Sequence, residues 1–453
     1  MTLPQRPLLK LRPSLMALAL GVAFTSSVQA QSLKELYEAA RGYDATYLAI
    51  RAQTESAEYR TEQARALKRP AVQFDASLGR SIADTPSSPS VQYQASNALG
   101  GTFSGKQSLF NAANNATISQ AERAYDLARA QLRGAEQDLI VRVAQAYFDV
   151  LASQDALATV QSSKKAISEQ LASAKRNFEV GTATITDTRE AQARYDLATA
   201  QELAAQNDLR VKQVALDQQV GRNGVAPKPL ALPVAVPPVQ PASMDAWVRN
   251  AETQSPAIQQ AAIGLDVAKL ETEKARAGHL PTVGLSANYG KTYARNDLML
   301  ASGPLNRNGT STNTSIGVGV SVPLFAGYSV QNRIKETLKL EDKAASDLDF
   351  ARRAVTQATR TAFLGLQSGQ SQVLAYEAAE SSSKLALEAT QTGYRVGVRV
   401  NLDVLNAQAQ LFTTQRDLAK ARYDLIVNSL RLRQASGVLT PGDVDAVSAL
   451  IAP

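Results

Sequence analysis

The chain has no cysteine among its 453 residues, and it has one histidine and one tryptophan. Without cysteine it has no disulfide framework, no thiolate metal site and no lipidated N-terminal cysteine. The single histidine, His279, has no histidine or cysteine companion and precedes Leu280-Pro281, where a helical pattern gives way to a strand pattern. We interpret it as a junction residue, and we expect no metal and no cofactor.

Aromatic residues and long apolar runs are also scarce. Aromatic residues make up 6% of the chain, which suits long helices with small residues at close contacts better than a thick core. Beyond the N-terminus no segment approaches the ~20 apolar residues of a membrane-spanning helix, so any membrane crossing must use strands. We find no nucleophile triad, metal-ligand cluster or phosphate loop and expect no catalytic activity. The formal charge of +7 lies partly at the N-terminus and does not indicate a nucleic-acid partner.

The N-terminus, residues 1–30, has the pattern of a secretory signal peptide. Basic residues at Arg6, Lys10 and Arg12 precede an apolar run from Leu15 to Phe24, and a small-residue site ends at Ala30. We expect cleavage after Ala30 and export of the mature protein. A simple membrane anchor is the alternative, but the run is too short to span a bilayer.

One loop occurs twice in the chain, and the Ala-Gln-Ala run that follows it recurs at the same separation of 216 residues. The copies are Phe178-Glu-Val-Gly181 followed by Thr186-Asp187, and Tyr394-Arg-Val-Gly397 followed by Leu402-Asp403, and each leads to an Ala-Gln-Ala run. A glycine between two helical patterns marks a turn, because glycine adopts positive φ without penalty. The duplication predicts two tandem repeats, at 31–226 and 243–440, with a Pro-rich linker at 227–242 and a C-terminal tail at 441–453.

Each repeat contains a predicted β-hairpin. Apolar and polar residues alternate at about 71–82, 96–110, 282–294 and 314–325, with polar loops expected at 83–95 and 295–313. Strands of about ten residues can cross a bilayer when tilted. A soluble sheet is the alternative, although four strands cannot close a barrel and open edges are not tolerated in lipid. Oligomerisation would solve this problem, since such barrels begin at about eight strands.

Helices are predicted around both hairpins. One runs from Ser32 to about Lys68, before Pro70. Proline-free stretches at about 112–178 and 328–394 follow the hairpins, each a rod on the order of 100 Å long. Shorter helices follow from Asp187 and Asp403. In the first rod the apolar spacing changes from an eleven-residue repeat to a heptad, which predicts nearly untwisted packing followed by a left-handed coiled coil.

These features resemble the TolC family of trimeric outer-membrane channel-tunnels. The resemblance covers nearly the whole mature chain and is carried above all by Tyr394-Arg-Val-Gly-Val-Arg399-Val-Asn-Leu-Asp403 and Asn177-Phe-Glu-Val-Gly181-Thr-Ala-Thr-Ile-Thr186-Asp187. It implies a mainly α fold with a transmembrane β-barrel: a homotrimer with twelve strands in the outer membrane and a twelve-helix coiled-coil tunnel across the periplasm. A periplasmic adaptor protein and an inner-membrane transporter are the implied partners.

The resemblance also implies roles for particular residues. Thr186 and Asp187 would hold Tyr394 in a closed gate, with Arg399 in a further polar link between neighbouring coils. Gly181 and Gly397 would mark the tips that contact the adaptor. Asp403 would form an acidic ring at the constriction, and Asn406 stands where close family members can place a second acid. This difference weakens the expected negative charge of the constriction.

The function expected is a passive exit duct for type I protein secretion, drug efflux or both. The alternative is a secreted or surface coiled-coil adhesin. Such a fibre shares the signal peptide and the long helices, but it has no use for two hairpins of bilayer length.

Overall fold

The computed structural model describes residues 30–84, 91–231, 240–300 and 302–450. The predicted signal peptide therefore lies outside the described residues except for Ala30, as do residues 232–239 of the predicted linker and the last three residues of the tail. The described residues form nine α-helices and four β-strands: α1 (Leu33–Tyr43), α2 (Ala45–Arg65), β1 (Ala71–Asp84), β2 (Val91–Phe110), α3 (Ala112–Glu179), α4 (Ile185–Val220), α5 (Met244–Gln254), α6 (Pro256–Arg276), β3 (Thr282–Leu300), β4 (Gly303–Ser321), α7 (Ser329–Arg395), α8 (Asn401–Ala435) and α9 (Pro441–Ser448).

The first helical segment is interrupted at Asp44, where the sequence predicts one helix. Asp44 has a ψ of 112°, which ends α1, and its carboxylate accepts a hydrogen bond of 2.7 Å from the backbone N–H of Tyr47, which begins α2. Aspartate stabilises a helix start in this way because the first N–H groups lack partners within the helix. The prediction of an unbroken helix from Ser32 to Lys68 is therefore wrong at this residue.

The four strands form one antiparallel sheet in the order β1-β2-β3-β4. The hairpins of the two repeats pair with each other through β2 and β3, from Val91↔Leu300 to Phe110↔Val283. One face carries the apolar residues of the alternating pattern, including Phe74 and Phe103, whose ring centroids lie 4.7 Å apart.

The strands extend into the stretches that the sequence assigns to long polar loops. β3 continues to Leu300, and β4 already begins at Gly303 and pairs with β3 residue by residue up to Ser321. The loop predictions at 83–95 and 295–313 are wrong wherever these residues are described. The ladder needs backbone N–H and C=O groups rather than apolar side chains, and threonine favours strands. β4 ends before 325 because Pro323 has no N–H for the ladder.

Two long helices dominate the rest of the chain. α3 has 68 residues and packs along α4, and α7 has 67 residues and packs along α8. The main core lies about midway along α3, around Tyr147 and Phe148. It also includes Leu230, from the described linker residues 227–231, and Val444 of α9. None of the helices in the described ranges has the length and hydropathy of a membrane span.

Candidate functional site

The two helix pairs end in matching turns. Gly181 has φ 76° and Gly397 has φ 83°, values that glycine adopts without strain. In the first turn the N–H of Thr182 donates to the carbonyl of Asn177 at 2.8 Å, and in the second the N–H of Val398 donates to that of Gly393 at 2.9 Å. The duplicated motif thus encodes the same helix C-cap twice, and it places both glycines at the tips of the helix pairs.

Asp187 lies in the first turn of α4, where it caps the helix. Its Oδ2 accepts hydrogen bonds from the backbone N–H of Thr184 at 2.9 Å and from the Thr184 hydroxyl at 2.7 Å, and its own N–H donates to that hydroxyl at 3.2 Å. This reciprocal arrangement is a capping box. Thr186 is exposed in the same turn. This structural role of Asp187 was not predicted from the sequence, although Thr184 three residues earlier is its signal.

Tyr394 lies in the last turn of α7 and contacts the first helix pair. Its hydroxyl accepts a hydrogen bond of 3.4 Å from Nδ2 of Asn177 on α3. In the described conformation the partner of Tyr394 is thus Asn177, while Asp187 is engaged with Thr184. The duplicated frame aligns Asn177 with Gly393, and a Cβ at Gly393 would lie 2.8 Å from Cγ of Arg399. Gly393 therefore gives room to the stem of Arg399, which the sequence analysis did not anticipate.

Arg399 and Asp403 form a loose ion pair within the second copy of the motif. Nη1 of Arg399 lies 3.6 Å from Oδ2 of Asp403, and their side chains are 63% and 37% exposed. The backbone N–H of Val400 also donates to the Asp403 carboxylate, at 3.5 Å. Asp403 thus occupies the same first-turn position in α8 as Asp187 in α4, but with a cation beside it.

Helix α8 contacts the first helix pair through polar side chains that the sequence analysis did not single out. Nη2 of Arg194 on α4 donates to Oδ1 of Asn406 at 3.0 Å, and Gln170 on α3 donates to Oδ1 of Asn401. Asn406, predicted to lie at the constriction, therefore faces a cation of its own chain. We call Asn401, Asn406 and Gln408 the polar seam.

Two members of the polar seam are buried with an unpaired polar atom. Asn401 is 3% exposed and Gln408 is 6% exposed, and among the described residues Nδ2 of Asn401 and Oε1 of Gln408 have no hydrogen-bond partner. Leu405 lies between them and packs in a small core with Ile167 and Leu171 of α3. A spacing of seven residues puts both amides on one face of α8, which is the signal that sequence reasoning could have used.

The helices of the first pair are joined by an ion pair further from the tips. Nζ of Lys164 on α3 lies 2.8 Å from Oε2 of Glu202 on α4, and 5.5 Å from the ring centroid of Tyr195. The hydrogen bond from Lys164 holds the pKa of the Glu202 carboxyl below its ordinary value. This contact links α3 to α4 at a distance from the tips.

The sequence and the fold of the chain are both similar to those of known proteins. The outer membrane efflux protein family matches residues 36–222 and 247–438. The outer membrane protein TolC of Vibrio cholerae is 33% identical over 441 residues, which cover 97% of this chain and 98% of that protein. The alkaline protease secretion protein AprF of Pseudomonas aeruginosa is 34% identical over 325 residues, which cover 70% of this chain and 65% of that protein. A crystal structure of CusC has a TM-score of 0.76 at 18% identity and covers 90% of this chain and 92% of that one.

The chain belongs to the outer membrane efflux protein family, whose two matched stretches correspond to the two repeats. The resemblance to the TolC family is confirmed, and so is the fold of tandem repeats that combines long helix pairs with a β-sheet. The family consists of channel proteins. The protein is therefore an exit duct for export, located in the outer membrane and extending across the periplasm.

Proposed function

We propose that three copies of this chain form one passive channel without catalytic chemistry, which a periplasmic adaptor and an inner-membrane transporter open. The sheet supports this assembly. Within the described residues β1 and β4 each pair along one side only, and an open strand edge is not tolerated in lipid. Three four-stranded sheets joined edge to edge make the twelve strands of a closed barrel, with the apolar face towards the acyl chains.

The long helix α7 also leaves apolar side chains exposed in a single chain. The buried residues of α7 are Thr337, Leu348, Thr359 and Leu366, far fewer than those of α3, which has nearly the same length. Large apolar side chains on α7, including Phe350, Leu374 and Leu385, are exposed. Such a face fits a neighbouring copy, because buried apolar surface drives association. The secreted adhesin considered from the sequence does not fit a member of an outer-membrane channel family.

We assign the gate to the region where the two helix pairs of each chain meet. In the described conformation Tyr394 links α7 to α3 through Asn177. In the closed state Tyr394 contacts Thr186 and Asp187, and Arg399 links neighbouring coils. The adaptor docks at the tips marked by Gly181 and Gly397 and opens the gate because it binds the open state more tightly, as any two-state switch requires.

The gate assignment is tested by changing Tyr394→Phe together with Arg399→Ser. Each hydrogen bond contributes about 0.5–1.5 kcal/mol, or up to ~3 kcal/mol when charged, and a trimer repeats the loss three times. We expect a higher single-channel conductance in planar bilayers and more antibiotic leakage in cells. Tyr376→Phe with Arg360→Ser removes a tyrosine hydroxyl and a guanidinium group from α7 further from the tips, and it is expected to leave both readouts unchanged.

Assembly is measured separately on the same variants. Cross-linking in native membranes is expected to give trimers for the wild type and for both double variants. Only monomers in the wild type would contradict the trimer. Normal trimers with wild-type conductance in the Tyr394 and Arg399 double variant would contradict the gate but leave the channel in place.

A further inference from the structure

The apolar face of the sheet changes character with distance from the helices. The register of the strands puts Phe74, Phe103 and Tyr289 in one row across β1, β2 and β3. Further from the helices, Leu78, Leu99 and Tyr293 form another row on the same face. These large side chains are all exposed in the single chain. In an outer-membrane protein this face contacts acyl chains, because it is the apolar one.

Two arginines lie on this face beyond these two apolar rows, and one lysine lies between the rows. Arg80 pairs with Asn97, and Asn97 pairs with Arg295, so the two arginines flank one asparagine in a single row. Neighbouring strands lie ~4.8 Å apart, which separates the two arginine Cα atoms by about 10 Å. Lys291 lies between Gly290 and Thr292 on β3, in a row nearer the helices. On its face of the sheet it lies between the exposed Tyr289 and Tyr293. We call Arg80, Lys291 and Arg295 the cationic patch.

Arg80 and Arg295 of the cationic patch lie at the height where the outer leaflet begins its headgroup layer. The strand from Val72 to Arg80 spans about 27 Å at ~3.4 Å per residue, which is about 20 Å of height at a tilt of ~40°. The apolar band of such a protein is ~25 Å tall. Since the helices of the protein lie in the periplasm, the end of the sheet remote from them faces the cell exterior. Lys291 lies about 10 Å lower, and its apolar stem lets the ammonium group reach upwards.

We propose that the cationic patch binds the phosphates of an acyl lipid of the outer leaflet, of the lipid A type found in lipopolysaccharide. The inference rests on the outer-membrane location of the chain. Arginine matches phosphate with a planar fork of donors. Tyr293, two residues below Arg295 on the same face, can place its ring among acyl chains and its hydroxyl among headgroups. The two arginines are thus complementary to the phosphates of such a lipid, and the apolar rows below them are complementary to its acyl chains.

Charges of opposite sign on the same face do not remove the patch. Oδ1 of Asp297 lies 3.7 Å from Nε of Arg295, a loose contact, and the Arg295 side chain is 59% exposed. Arg80 and Lys291 are also exposed. A cation on the lipid-facing side near the middle of a bilayer is destabilising, so an anionic lipid partner is more favourable for Lys291 than acyl chains alone.

The test counts lipids bound to the purified full-length protein in detergent by native mass spectrometry. The probes are bisphosphorylated lipid A, the same lipid A without phosphates, and phosphatidylglycerol. We expect the wild type to bind bisphosphorylated lipid A about tenfold or more tightly than the dephosphorylated form. Arg80→Gln with Arg295→Gln is expected to weaken binding of the phosphorylated form by about tenfold or more.

The sheet itself offers a matched control. Arg307 on β4 pairs with Asn296, next to Arg295 but on the opposite face of the sheet. Arg307→Gln removes a cation at nearly the same height and is expected to leave lipid A binding within about twofold of the wild type. Equal losses in both variants, equal binding of dephosphorylated lipid A, or equal binding of phosphatidylglycerol would overturn the proposed site. None of these readouts depends on export or on the gate.

Discussion

At the scale of single residues, equivalent positions of the two repeats have acquired different partners. Asp187 completes a capping box with Thr184, whereas the equivalent Asp403 has Val400 at the helix start and Arg399 beside it. The sequence predicts the equivalence, because both aspartates follow a turn glycine at the same distance. It does not predict the partners, since these depend on how α4 and α8 pack against their neighbours.

The polar seam leads to a prediction about stability. A buried polar group without a partner costs about 1–3 kcal/mol, so replacing Asn401→Leu and Gln408→Leu is expected to stabilise the contact between the helix pairs by about 1–2 kcal/mol. The hydrogen bond from Gln170 to Asn401 is lost in this variant, but Gln170 is half-buried and can donate to water instead. The measurement is the thermal unfolding of the purified protein, followed by circular dichroism. Gln410→Leu is the control, because Gln410 is exposed on the same helix, and it is expected to change little.

The opposite result would also be informative. If the double leucine variant unfolds at a lower temperature than the wild type, the two amides have hydrogen-bond partners in the assembled channel, and the seam is a satisfied network. Sequence reasoning missed the seam because asparagine and glutamine on a polar helix usually face solvent. Only the contact of α8 with α3 and α4 shows that these two are covered.

At the scale of elements, the sequence predicts helices better than strand ends. The long helices begin and end within a few residues of the expected positions, because glycine turns and the absence of proline mark them. The strands run further than predicted, because a polar segment such as Gly309–Thr314 pairs through its backbone and shows no apolar alternation. The break at Asp44 escaped prediction because the helical pattern continues on both sides of it.

Asp44 allows a test of what holds this break in place. It is 8% exposed and receives hydrogen bonds from Arg142 at 2.9 and 3.2 Å. Burial alone would raise its pKa, but the bonds from Arg142 and from the Tyr47 N–H hold the pKa of Asp44 below its ordinary value. Asp44→Asn keeps an N-cap and loses the ion pair, for which we expect a cost of about 1–2 kcal/mol at neutral pH. Asp44→Ala loses the cap as well, for about 1 kcal/mol more.

The pH dependence separates the two contributions. A lowered pKa in the folded state gives stabilisation that is complete above the unfolded-state value of about 4 and is lost as the pH falls through the folded-state value. The wild type is therefore expected to lose its advantage over Asp44→Asn in acid, as measured by thermal unfolding at neutral and acidic pH. A gap between wild type and Asp44→Asn that does not change with pH would mean that the ion pair does not provide this stability.

At the scale of the whole molecule, the duplication made the architecture predictable. The same order of elements occurs twice and gives two hairpins and two long helix pairs. A hairpin or a helix pair cannot bury all of its apolar surface within its own repeat. The structure shows how the repeats combine in one chain: β2 pairs with β3, and Tyr423 of the second repeat stacks near Phe148 of the first. The contacts of the proposed gate could not be derived in the same way, because they depend on how the two helix pairs pack against each other.

The charge of the constriction gives a prediction for the assembled channel. In the proposed trimer three copies of Asp403 face a narrow aqueous pore and favour cations, as acidic rings do in other channels. Asp403→Ala is expected to lower cation selectivity and the affinity for multivalent cation blockers in planar bilayers. Arg399→Ser is expected to raise cation selectivity, because it removes a positive charge 3.6 Å from each Asp403.

A further prediction concerns Asn406. An acid introduced at this position lies beside Arg194, a cation of the same chain. Nη2 of Arg194 lies 3.0 Å from Oδ1 of Asn406, so Asn406→Asp is expected to form an ion pair and to raise cation selectivity less than its added charge alone would do. Asn406→Asp with Arg194→Gln releases that charge and is expected to raise selectivity clearly further. Reversal potentials under a salt gradient measure all four variants. If Asp403→Ala leaves the reversal potential unchanged and the Asn406 variants behave alike, the selectivity of the channel is set elsewhere along the pore.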